Sequence, residues 1–201
     1  MTVRHRLTAL VVPVVLIASP AGAQEVPNGG DTPPAHAASM LFETSDRCLA
    51  CHNGVTTSTG RDVSIGFDWR GSMMANSARD PYWHAAVRRE IMDHPQEQTA
   101  IEDTCSTCHM PMARYEAHLR GERGEVFGNL PAVDAATRRE QLAADGVSCA
   151  MCHQITEEGL GEPESFTGGF VVDETTPWGH RSMLGPFVTD SGRALLMRSA
   201  T

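Results

Sequence analysis

Six cysteines in this chain of 201 residues fall into one pattern that occurs three times. Cys48-Leu49-Ala50-Cys51-His52 is followed by Cys105-Ser106-Thr107-Cys108-His109 and then by Cys149-Ala150-Met151-Cys152-His153. Two thiols one helical turn apart can do several kinds of chemistry. In an exported chain paired cysteines form disulfides, and Cys-x-x-Cys also serves thiol–disulfide exchange or zinc binding. None of these uses explains a histidine at the same offset three times with no cysteine left over. Cys-x-x-Cys-His is the attachment signature of c-type haem, in which the thiols join the two vinyl groups and the adjacent imidazole supplies the proximal iron ligand. The pattern predicts three haem c groups, held by Cys48, Cys51, Cys105, Cys108, Cys149 and Cys152, with His52, His109 and His153 as proximal ligands.

A second axial ligand on each iron would have to come from elsewhere. Outside the motifs and the first 23 residues the histidines are His36, His84, His94, His118 and His180, and Met73 and Met74 form an adjacent thioether pair. His118 lies nine residues beyond His109; at about 100° per residue it points away from that haem and could cap only a neighbour. His36 sits in a Pro- and Ala-rich stretch that would not hold it in place. The distal candidates are therefore Met74, Met73, His118, His94 and His180, each against the alternative of an ordinary surface or packing residue.

The elements that must position these groups are short. Asp80 reads as an N-cap with Pro81 at the first helical position, and Trp83, Val87 and Ile91 share one face of a helix over 82–93 that Pro95 ends. A second helix is predicted from Thr99 into the second motif. Pro111 restarts one through Arg114, Tyr115 and His118 to Gly121, and another spans 134–145, capped by Asp134 and closed by Gly146. Residues 55–66 read as a loop, and 166–172 as a single hairpin arm in an otherwise irregular C-terminal third. Aromatic residues make up only 5% of the chain, so bound cofactor is expected to supply apolar surface that side chains do not. The expected fold is mainly α with little regular secondary structure: one domain over 45–201, its short helices wrapped around stacked haems.

Residues 1–23 read as a secretory signal peptide. Arg4 and Arg6 precede an apolar stretch from Leu7 to Ile17, and Ala21-Gly22-Ala23 supplies a cleavage site. That stretch is shorter than the ~20 residues a membrane span needs, and no later segment is apolar enough. The expected location is the periplasm or another exported compartment, with no integral membrane segment after cleavage and a flexible leader over 24–44. Two of the 16 basic residues leave with the signal, so 14 Arg face 25 acids, a net charge of −11, with no Lys. Such a balance argues against nucleic acid or anionic membrane as partner. It suits a redox partner protein with a basic docking surface.

Beyond the motifs, Trp69-Arg70-Gly71-Ser72-Met73-Met74-Ala75 resembles the W-x-x-S-x-H-A stretch of multihaem cytochromes of the c-554 type. In those proteins the histidine is a distal haem ligand, and here its position is Met74. Gly146-Val147-Ser148-Cys149, running into the third motif, resembles their G-V-x-C-x-x-C-H element, and Arg79-Asp80-Pro81 and Gly185-Pro186-Phe187 are similar to segments of larger multihaem chains. The resemblance covers about 48–190. It implies an N-terminal portion of a larger multihaem cytochrome, because larger relatives carry further motifs beyond the region matching 185–190.

Two functions fit these features. One is periplasmic electron transfer, which needs no acid, base or nucleophile, because axial ligands, burial and nearby charge set the potentials. The other is a multihaem oxidoreductase acting on a small nitrogen or sulfur compound at a five-coordinate haem, with Arg and His supplying charge and protons. No catalytic constellation is visible in the sequence, which favours the carrier over the catalyst.

Overall fold

Nine short α-helices carry residues 40–198, the part of the chain that the computed structural model describes. They are α1 (Ser45–Leu49), α2 (Gly66–Arg70), α3 (Met73–Asn76), α4 (Pro81–Asp93), α5 (Gln98–His109), α6 (Pro111–Leu119), α7 (Arg138–Ala144), α8 (Cys149–Cys152) and α9 (Ser191–Arg198). Single 3-10 turns lie at Pro95–Glu97, Phe127–Asn129 and Pro163–Thr167. The described residues contain no strand, only isolated bridges between Thr56 and Asp62 and between Ile155 and Val172. The protein is thus mainly helical. Among the described residues no helix is long and apolar enough to cross a membrane. The expected signal peptide over 1–23, most of the expected leader, and His36 lie outside the described residues.

Local sequence accounts for the longer helices. Asp80 accepts from the Tyr82 N–H at 2.9 Å and Pro81 opens α4, with Trp83, Val87 and Ile91 buried on one face. A break at His94 and Pro95 leads into α5, and Pro111 starts α6, which stops before Gly121. The helix before the third motif begins later than Asp134. Thr137 is its cap: its hydroxyl accepts from the Glu140 N–H, while the Glu140 carboxylate accepts from the N–H groups of Ala136 and Thr137. A reciprocal box satisfies more orphan donors than Asp134 alone could. The expected hairpin arm over 166–172 is also corrected. Residues 163–167 coil into a 3-10 turn ended by Gly168 at φ +91°, and only Val172 is left to bridge to Ile155.

The core joins α4, α5, α6 and α7, with Phe42, Met110, Met112, Val126, Leu142 and Met151 fully buried. Three of those six are methionines, whose flexible side chains fill irregular gaps where large rings are scarce. Leu41 and Phe42 belong to this core, and Phe42 meets Tyr115 edge-on at 5.9 Å. The stretch read as leader up to residue 44 is therefore packed from residue 41 onward.

Four buried carboxylates tie the irregular segments to the helices. Glu102 accepts from the N–H groups of Val126 and Phe127 at 2.8 and 3.1 Å. Glu116 accepts from Leu41 and Phe42 and pairs with Arg138 at 3.0 Å. Asp103 accepts from the Gly124 N–H at 2.7 Å, from His118 Nε2 at 2.6 Å and from Arg114 at 3.2 Å. Burial pushes the Asp103 carboxyl up, but these three donors outweigh it and hold it below the usual range. Asp145 accepts from both the N–H and the hydroxyl of Ser45 at 2.7 Å. Charge-assisted bonds of this kind replace ladder hydrogen bonds for loops that lack a sheet.

Candidate haem-attachment sites

Each Cys-x-x-Cys-His motif occupies a helical turn. The first runs from α1 into the turn that follows it, the second forms the last turn of α5, and the third is α8. One turn puts cysteines three apart on one side. All six are free thiols, and in every motif the first is half-buried and the second exposed. Each pair can therefore present two sulfurs along one edge of a flat ligand.

Two of the motif histidines are clasped in the same way by residues about thirty positions distant. His109 Nδ1 donates to the Ser77 carbonyl at 2.8 Å, while Ser77 Oγ donates to the His109 carbonyl at 3.1 Å. His153 Nδ1 donates to the Leu184 carbonyl at 2.6 Å, and the Leu184 N–H donates back to the His153 carbonyl at 2.8 Å. A carbonyl only accepts, so Nδ1 carries the proton in both rings, and in the neutral imidazole Nε2 is the nitrogen with the lone pair. Metal-ligating histidines use this arrangement: the outer hydrogen bond fixes tautomer and orientation and raises ligand basicity. His52 is exposed, and its ring bonds no described residue.

The first and third motifs abut. Ser45, three residues before Cys48, is clamped to Asp145, four residues before Cys149, by the two buried hydrogen bonds above. The Cys48 and Cys149 side chains then lie next to each other. The neighbouring Cys149, with burial, pushes the Cys48 thiol far up. The Cys149 thiol is lowered to about 7 by its Cys48 neighbour, against burial and the Asp145 charge. Burial also raises the half-buried Cys105.

No family model, curated protein or solved structure matches this chain.

The segment carrying Met73 and Met74 docks on the approach to the third motif. Trp69 Nε1 donates to the Val147 carbonyl at 3.2 Å, and the Val147 N–H donates to the Met74 carbonyl at 3.1 Å. Gly146 makes this approach possible. Its φ is +65°, and a Cβ there would lie 2.7 Å from the Met74 oxygen and 2.8 Å from Ser77 Oγ. Met74 is thus carried by a short helix that touches the second motif through Ser77 and the third through Val147. Its side chain is 51% exposed, and that of Met73 90%. Of the other candidates, His118 has Nε2 engaged by Asp103, leaving Nδ1. His94 caps α4, exposed, with Nε2 3.8 Å from Glu90. His180 is exposed in the turn that begins at Pro177.

Large apolar side chains stand exposed near these motifs, among them Val63 and Ile65 ahead of α2, Phe67 within it, and Leu184 at the His153 clasp with Phe187 and Val188 after it. Among the described residues no three His, Cys, Asp or Glu side chains converge on a point that could hold a bare metal ion. The donor set of each motif is one imidazole nitrogen and two thiols spaced along an edge, which suits covalently attached haem. Sequence reasoning did not single out Ser77, Leu184, Ser45 or Asp145. The carbonyls of Ser77 and Leu184 carry no side-chain signal, and the Ser45–Asp145 pair spans 100 residues.

Proposed function

We propose that the chain is an exported trihaem c-type cytochrome that transfers electrons, related to multihaem cytochromes of the c-554 type. The observation that carries this reading is the threefold Cys-x-x-Cys-His pattern. The carbonyl clasp that leaves Nε2 available on His109 and His153 supports it further. Haem c, when bound, supplies reversible one-electron chemistry within the chain. The residues of this protein do the rest. Cys48 and Cys51, Cys105 and Cys108, and Cys149 and Cys152 anchor the three groups, and His52, His109 and His153 ligate them. The Ser45–Asp145 clamp and the Cys48–Cys149 contact bring the first and third motifs together, so that groups held there would be close enough to exchange electrons. Exposed Val63, Phe67, Phe187 and Val188 provide apolar walls. The acidic surface favours a donor or acceptor protein with a basic face, and the N-terminal 23 residues direct export to the periplasm.

Mass spectrometry of the mature chain from a host with haem-attachment machinery tests the reading: three covalent haem additions are expected, and none or one would refute it. Added nitrite, hydroxylamine or sulfite should leave the optical spectrum unchanged. A shift would instead favour an enzyme with an open haem position.

A further inference from the structure

Trp83 does more than pack. Its indole stacks on the His109 imidazole, with centroids 4.0 Å apart and the ring planes 3° from parallel. On its other neighbour, His84, it lies tilted at 51° with centroids 5.1 Å apart. The two imidazoles are anchored on consecutive carbonyls: His109 Nδ1 donates to Ser77, and His84 Nε2 donates to Ala78 at 2.9 Å. Trp83 itself is buried in line with Val87 and Ile91 on α4, so its plane is set by the core.

A hydrogen bond at Nδ1 fixes a direction from the ring but leaves it free to turn about that line. A parallel aromatic stack removes that remaining freedom. We propose that Trp83 is a positioning residue for the second site, locking the plane of the His109 ring and so setting the electronic character of the group ligated there. The inference rests on the haem reading above. His153 has the carbonyl clasp but no aromatic stack among the described residues, and His52 has neither. The three proximal imidazoles are thus graded, with His109 the most constrained. Imidazole orientation and its outer hydrogen bond tune a ligated iron, so three chemically identical motifs acquire three different properties.

The test compares the mature holoprotein with Trp83→Leu, Trp83→Phe and Val87→Ala. Val87→Ala loosens the same face of α4 without removing a group stacked on His109. Each variant is assayed by mass for haem content, by redox titration and by electron paramagnetic resonance of the ferric state. With three haems retained, Trp83→Leu should change the equilibrium of one reductive step several-fold and move one low-spin resonance, leaving the other two in place. Trp83→Phe should fall between Leu and wild type, and Val87→Ala should lower thermal stability with all three signals unmoved. Trp83→Leu with three haems and three unmoved signals would overturn the proposal and leave the haem reading intact. The same displaced signal in Val87→Ala would also overturn it, by showing general loosening. If Trp83→Leu does not accumulate, Trp83→Phe decides alone, because its smaller ring covers less of the imidazole and must move the same signal. A wild-type chain without covalent haem would overturn the haem reading, and this inference with it.

Discussion

Replacing Asp145 by Ala removes the clamp between the first and third motifs. The carboxylate receives two hydrogen bonds from Ser45, both 2.7 Å long, in a site where Asp145 is 8% exposed and Ser45 6%. Hydrogen bonds to a charged group contribute about 1.5–3 kcal/mol each, and deletion leaves the Ser45 N–H buried without an acceptor. Because both bonds end on one side chain, their sum is taken at its lower limit, about 3 kcal/mol. For a chain of this size that corresponds to a fall in Tm of roughly 6–12 °C. Asp145→Asn keeps the shape. Its oxygen can accept from the Ser45 N–H and its amide can donate to the Ser45 hydroxyl, so two neutral bonds replace two charge-assisted ones, and the loss should be roughly half as large. Thermal unfolding of the mature protein, followed by far-ultraviolet circular dichroism, measures both. An Asp145→Ala protein melting within about a degree of wild type, or equal falls for Ala and Asn, would refute the reasoning, since about 3 kcal/mol cannot hide in such a transition.

Gly146→Ala should destabilise the protein by at least about 1–2 kcal/mol, the left-handed penalty alone, because the new Cβ also meets the Met74 oxygen at 2.7 Å; the denaturant midpoint reports it. If Met74 ligates iron, the oxidised protein shows the far-red absorption band of an iron–thioether bond; the band should vanish in Met74→Ala and survive in Met73→Ala, and its absence from wild type would exclude both. In haem-free chain, iodoacetamide should modify Cys149 ahead of Cys48, with the Cys149 rate rising through a pH of about 7. Cys48→Ala removes the neighbouring thiol and should move that profile to higher pH, as peptide mass mapping would show.

Much of this protein is legible from short-range pattern. The Cys-x-x-Cys-His spacing carries its own chemistry, and α4 follows from Asp80, Pro81 and a stripe of Trp83, Val87 and Ile91, because caps and helical periodicity act over a few residues. The same locality explains the misplacement at Asp134. The Thr137–Glu140 box is also a local signal and outcompetes it, whereas among the described residues 166–172 has no partner strand to pair with. What the chain order does not contain is which distant groups meet. Ser77 and Leu184 hold the histidines through backbone oxygens, which every residue possesses. Ser45 finds Asp145 across 100 residues, and Trp83 reaches the His109 ring only once α4 lies against α5. Covalent chemistry is written in residue type and spacing. The orientation of each imidazole and the meeting of the first and third motifs depend on long-range packing and buried hydrogen bonds, which exist only after the chain has folded.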